Sequence, residues 1–194
     1  MTAPVTPPSG DPERPAGGVV DRFDDLVDAW WDRLRGNRLA DRLFYTASEA
    51  ADFSLLWHTL GVAKALAADD PRLAIELSAA LGLESALVNG PVKSLFRRSR
   101  PVHEGPRPHR LRQPRTSSFP SGHASAAMVA ASILSRDSRV APLWWTLAGI
   151  VATSRVHVRI HHASDVIGGT VIGLALGALA RRVLDAGRAG RLPV

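Results

Sequence analysis

Five apolar stretches decide what this chain can fold into: "FSLLWHTLGVAKALAA" (53–68), "LAIELSAALGLESALVNGPVKSLF" (73–96), "SGHASAAMVAASIL" (121–134), "VAPLWWTLAGIVATS" (140–154) and "SDVIGGTVIGLALGALA" (164–180). None alternates with period two, and alanine and leucine dominate them, so each reads as a helix and the fold class as all-α. A membrane-spanning helix takes roughly 20 apolar residues, and several of these runs are shorter. Two features nevertheless favour a membrane. The runs are apolar around most of their circumference, and Gly169, Gly173 and Gly177 recur every four residues, the spacing by which membrane helices approach closely. A glycine stripe inside a soluble bundle is the alternative. The expected architecture is a polytopic membrane helical bundle of about five transmembrane helices, in which Glu76 and Glu84 face the bundle interior.

The remaining segments organise around that bundle. Residues 1–18, rich in proline and glycine, read as a disordered tail, without the basic-then-apolar start of a secretory signal. Residues 19–45 form an amphipathic segment: Phe23, Leu26, Val27, Trp30, Trp31 and Leu34 recur at helical spacing, and Gly36-Asn37 is a stop signal. Its polar face carries Asp21, Asp24, Asp25, Asp28 and Asp32, whereas surface-bound membrane helices favour Lys and Arg there, so this helix is expected to pack on other helices. Residues 46–185 are expected to form the main helical bundle and 186–194 a C-terminal tail. The chain has no cysteine, which removes thiolate nucleophiles and thiolate metal ligands from consideration.

The formal net charge of +6 concentrates in one place, where Arg97, Arg98, Arg100, Arg107, Arg110, Arg112 and Arg115 face only Glu104. A basic balance suits nucleic acid, an anionic membrane or a phosphate-bearing ligand alike. Position discriminates, because the arginines adjoin three short motifs. In "KSLFRRSRP", Lys93 and Arg100 are about two helical turns apart and are expected to leave one helix face near its end, where Pro101 disfavours further helix. A guanidinium fork and an ammonium together suit phosphate oxygens, although a basic juxtamembrane stop would look the same. In "FPSGHAS", Ser121 reads as an N-cap with Gly122 and His123 opening a helix, which makes an anion seat of free N–H groups beside an imidazole able to donate a proton. In "SRVHVRIHHASD", Asp165 follows His161 by four residues and could hold its imidazole, while Arg155 precedes it by six. His157 and His161 also stand four apart, but Val158 occupies the place where the zinc protease pattern has glutamate.

Taken together, Lys93 to Pro101, Pro120 to His123 and Ser154 to Asp165 resemble the three signature motifs of the type 2 phosphatidic acid phosphatase (PAP2) superfamily, in the family's order and without substitution, over about residues 45–185. The resemblance implies a helical bundle that hydrolyses a phosphoester through a phosphohistidine. His161 would attack phosphorus, Asp165 would orient it and His123 would protonate the leaving oxygen. Lys93, Arg100, Ser121, the Gly122 backbone N–H and Arg155 would hold the phosphate, with neither metal nor cofactor required. Integral-membrane members commonly place the first motif after a third span, whereas here it follows the second apolar run.

A phosphate grip at the end of apolar helices suits a lipid phosphate, of polyprenyl or diacyl type. The expected partners are therefore that substrate and membrane lipids, with no nucleic acid. With five spans the motifs share one membrane face, and Arg181, Arg182, Arg188 and Arg191 argue that the opposite end is cytoplasmic; the arginine-rich loop argues the reverse unless its charges serve the substrate, so the expected location is a multi-pass protein of the cell membrane with an extracytoplasmic active site. Residues 102–116 read as a flexible rim. His58, His103, His109, His157 and His162 read as structural or solvated. Two rivals stand beside the lipid phosphatase: a vanadate-dependent haloperoxidase, which shares the site pattern, and a non-catalytic binder of anionic lipid or nucleic acid.

Overall fold

The computed structural model describes residues 18–103, 111, 112, 114 and 116–190. Among them the elements run α1 (Val19–Trp31), α2 (Arg38–Ala50), a 3-10 turn (Asp52–Ser54), α3 (Leu55–Ala67), α4 (Pro71–Leu87) continued by a π-turn (Val88–Val92), α5 (Gly122–Leu134), α6 (Ala141–His157) and α7 (Ala163–Arg188), with no strand. The expected tail up to residue 17, Glu104, Arg107, His109, Arg110, Arg115 and Arg191 lie outside the described residues.

The five apolar runs became α3 to α7, which pass up and down the bundle in series. α5 is its axis: from Ala124 to Leu134 every residue is buried. Its alanine and serine surface lets backbones come close, so the gain is contact rather than side-chain bulk. α7 uses the glycine stripe for that purpose. A Cβ at Gly169 would strike the Ser121 carbonyl, one at Gly173 the Ser125 backbone, and one at Gly177 the Ser132 side chain. Two helices, Pro71–Val92 and Ala163–Arg188, have the length and apolarity to cross a membrane, whereas α3, α5 and α6 are shorter.

The bundle has two chemically different ends. At one, Arg188 pairs with Asp70 at 2.9 Å and with Glu76 at 2.8 Å, and Arg136 pairs with Asp185. The other end gathers the three motifs. Glu84, between the two ends on α4, is buried at 2 % exposure, as its interior position required.

One local expectation needs correction. Lys93 and Arg100 do not share a helix face. Pro91 stands inside the π-turn and Gly90 has non-helical dihedrals (φ −93°, ψ −107°), so the helix gives out just past Lys93 and Arg100 lies on irregular chain. The amphipathic helix α1 ends before the Gly36-Asn37 stop, and a second helix, α2, follows it. Gly36 turns the chain at φ 84°, and Asn37 caps α2 by accepting from the N–H groups of Leu39 and Ala40 at 3.0 and 3.2 Å. α1 does pack on α6 and α7, through Trp31 and Val27 of its apolar stripe together with the buried carboxylate of Asp24, while Val19, Val20, Phe23, Leu26 and Trp30 are exposed. Asp24 goes in because it finds an arginine and a serine on the bundle, as described below.

Candidate active site

Helix ends build the site. α4 delivers Lys93 where its π-turn closes, and α5 begins with Gly122 and His123, with Ser121 as N-cap accepting from the Ala124 N–H at 3.4 Å. α6 ends with Arg155, and the turn into α7 carries His161. In that turn the N–H groups of both Ile160 and His161 donate to the Arg155 carbonyl at 3.1 Å, and Arg159 takes the left-handed conformation at φ 51°. The irregular chain carrying Arg100 is stitched to the loop before α5: Ser118 N–H donates to the Arg98 carbonyl at 2.9 Å, and Arg100 Nη2 donates to the carbonyls of Thr116 and Ser117 at 3.2 Å.

These elements enclose a cavity of about 520 Å³ whose wall includes Lys93, Gly122, His123, Arg155 and His161, a size suited to a small polar headgroup. Arg100 closes one side. Its Nη1 lies 3.2 Å from His161 Nε2 and 3.0 Å from the Ile160 carbonyl. Arg112, stacked 4.5 Å over the ring of Phe53, also lines the wall. A Cβ at Gly122 would stand 3.0 Å from Asn89 Oδ1, so glycine keeps this approach to the α5 N-terminus open.

Burial sets the protonation states. It pushes His161 down to about 3; the partnership with Asp165 works in the opposite direction, while the charges of Arg155 and Arg100 add to the depression. His161 is therefore neutral at physiological pH, the state a nucleophile needs. Burial also pushes Lys93 down to about 8, with Arg100 and Arg155 reinforcing it and Glu84 and Asp165 opposing.

Asp165 is fully buried behind His161. Its Oδ2 accepts from the Ser118 hydroxyl and from the His162 N–H at 2.9 Å, and lies 3.6 Å from His161 Nδ1. Its Oδ1 accepts from Arg98 Nη1 at 2.7 Å. His123 Nε2 meets Asp52 Oδ1 at 2.9 Å, and Arg155 donates to the Ser48 hydroxyl. Asp52 stays ionised: burial alone would raise its carboxyl, but the bond and charge of His123, with Arg155 and Arg112, bring it below the ordinary value.

The structure thus brings Lys93, Gly122, His123, Arg155 and His161 to one cavity, with Arg100 held against His161, Asp165 behind it and Ser121 fully buried under the turn. His157 is elsewhere, paired with Asp41 at 2.9 Å between the rings of Trp31, Phe44 and Tyr45, and His58 shares a 3.0 Å bond with Ser78. Sequence reasoning missed Asp24, Ser48, Asp52 and Arg98 as partners of the site. Ser118, directly before the second motif, was open to discovery there. Asp52 and Ser48, 71 and 107 residues from the groups they hold, were not.

A family model described as the PAP2 superfamily matches residues 73–188. Among curated proteins, decaprenylphosphoryl-5-phosphoribose phosphatase of Mycobacterium tuberculosis is 35% identical over 100 residues, 52% of this chain and 53% of that protein, so the chain's match spans about half the length of this relative. Among solved structures, a transmembrane PAP2-type phosphatidylglycerolphosphate phosphatase from Bacillus subtilis superposes with a TM-score of 0.67 at 21% identity, over 88% of each chain. LpxE of Aquifex aeolicus superposes at 0.58 and 22% identity, over 86% of this chain and 97% of that one.

Proposed function

The chain belongs to the PAP2 superfamily, and from that membership we propose that it is a metal-independent phosphatase acting on a lipid phosphate in the cell membrane. One observation carries the reading: Arg100 Nη1 stands 3.2 Å from His161 Nε2 on a cavity shared with Lys93 and Arg155, so a phosphate held by the cations presents its phosphorus to the imidazole.

The chemistry follows the resemblance of the motifs. Neutral His161 attacks through Nε2; a phosphorus–nitrogen bond forms as the bond to the lipid oxygen breaks, and His123 gives that oxygen a proton. Water then attacks the phosphohistidine, passing a proton to His123, and phosphate leaves with both histidines restored. Lys93, Arg100 and Arg155 spread over the equatorial oxygens, and the Ser121–Gly122 turn aims backbone N–H groups at them. Asp165 steadies the charge that His161 acquires.

In this reading α3 to α7 lie in the bilayer with the site at one end, so the tail stays in hydrocarbon while the headgroup meets charge. Arg181 and Arg182 at the other end support a cytoplasmic location for that end, which leaves the site outside. The relative from Mycobacterium tuberculosis makes a polyprenyl-linked phosphate the first substrate to try. Purified protein in detergent should release phosphate from polyprenyl phosphate, polyprenyl diphosphate, decaprenylphosphoryl-5-phosphoribose or phosphatidate, with a preference among them. Release from none of these, at any pH between 5 and 9, would overturn the function.

A further inference from the structure

Residues before α3 reach the back of the site three times. From the 3-10 turn, Asp52 bonds His123 at 2.9 Å. From α2, the Ser48 hydroxyl accepts from Arg155. From α1, Asp24 accepts from Arg98 Nη2 and takes both the N–H and the hydroxyl of Ser164, at 2.8 and 2.7 Å, while Arg98 Nη1 donates to Asp165 Oδ1 at 2.7 Å. All three residues precede the stretch that the family model matches.

Hydrophobic gain explains only part of this docking. Trp31 is buried and Val27 and Leu34 pack against the core, yet Leu26 and Trp30 are 73 % and 52 % exposed while Asp24 is 4 % exposed, so an acid goes in where two apolar side chains stay out. A buried ion pair adds little net stability against an apolar alternative, so its value here lies in direction. With Oδ1 held by Arg98, the Asp165 carboxylate cannot turn, and Oδ2 stays aimed at His161 Nδ1 and Ser118. Asp52 is fixed comparably: Phe53 and Ser54 both sit in the left-handed region, at φ 53° and 58°, making the corner that points its carboxylate at His123.

We propose that residues 19–54 are a positioning cap of the active site, in which Asp24 acts on Asp165 through Arg98 and Asp52 acts on His123. The kinetic part rests on the phosphatase reading above; the structural part does not.

The test uses the full chain in detergent, as wild type and as Asp24→Asn, Asp24→Glu, Arg98→Ala, Asp24→Asn with Arg98→Ala, Asp52→Asn and Asp25→Asn. Phosphate release from a lipid phosphate should fall about 10- to 100-fold in kcat, with KM within about threefold, for Asp24→Asn, Arg98→Ala and Asp52→Asn, the range typical of lost orienting partners. The double variant should be no slower than Arg98→Ala alone, Asp24→Glu should recover most of the rate, and Asp25→Asn, on the exposed side of α1, should match wild type. In parallel, amide hydrogen exchange over residues 158–166 should accelerate in Asp24→Asn and Arg98→Ala. Additive losses, an effect confined to KM, or unchanged exchange at 158–166 would overturn the cap. A wild type silent on every lipid phosphate would sink the phosphatase reading, and the exchange measurement would still decide this one.

Discussion

His161 Nδ1 and Asp165 Oδ2 stand 3.6 Å apart with the Ser118 hydroxyl beside both, 3.4 Å from the first and bonded to the second. The imidazole and the carboxylate are thus in register without a closed bond, and hydrogen bonds of this kind tighten as charge develops. Asp165→Asn should lower kcat about 10²- to 10⁴-fold, as loss of an orienting carboxylate does in related acid–base dyads. Ser118→Ala, which leaves the carboxylate in place, should cost less than about tenfold in kcat. Steady-state kinetics on one lipid phosphate compares the two.

Lys93 sets the alkaline side of the pH profile. Its ammonium is held down to about 8 by burial and by neighbouring Arg100 and Arg155. As pH rises through that value the free enzyme loses a phosphate-binding cation, so kcat/KM should fall above about pH 8. Lys93→Arg, whose guanidinium keeps its proton, should carry the decline beyond pH 10. His161, neutral down to about 3, should contribute no acid limb between pH 4 and 7.

Arg100 contacts the attacking nitrogen's surroundings directly, so its removal should be felt most where charge develops. Arg100→Ala should lower kcat/KM about 10²- to 10³-fold, the usual cost of one donor to a developing oxyanion. It should also weaken inhibition by orthovanadate, measured as the shift in the inhibition constant.

Gly173 marks a close approach of α7 to α5, where a Cβ would press on the Ser125 backbone. Gly173→Leu should destabilise the bundle by about 1–3 kcal/mol or more, the cost of overpacking. A fall in Tm in detergent checks it, against the control Gly82→Ala, where nothing lies within 4 Å.

The absence of native cysteine makes topology measurable. A cysteine in place of exposed Arg97, at the site end, should react with a membrane-impermeant maleimide on intact cells. One in place of Arg139, at the opposite end, should react only after lysis.

Much of this was legible because apolar runs and local motifs carry their own geometry. The five runs located α3 to α7, and the glycine spacing anticipated the α5–α7 seam because it expresses one contact repeated every turn. Most motif residues converged because they sit at helix ends, where proline, glycine or a serine cap announces itself. What escaped depended on tertiary partners. Nothing in Asp24 says that Arg98 and Ser164 await it, so α1 was read by its apolar stripe, yet it buries Asp24 beside Trp31 and leaves Leu26 and Trp30 exposed. α2, beyond the Gly36-Asn37 stop, was not read as a helix of its own because its apolar positions, such as Leu39 and Leu43, are interleaved with Arg38 and Arg42. Arg100 was placed two turns along a helix that Gly90 and Pro91 cut short.

Rapid quenching with a lipid substrate carrying labelled phosphate addresses the nucleophile itself. The geometry predicts a labelled, acid-labile and alkali-stable adduct on the peptide containing His161, absent in His161→Ala, whose turnover falls by about 10⁴-fold or more. Label on another residue, or wild-type phosphate release by His161→Ala, would contradict it.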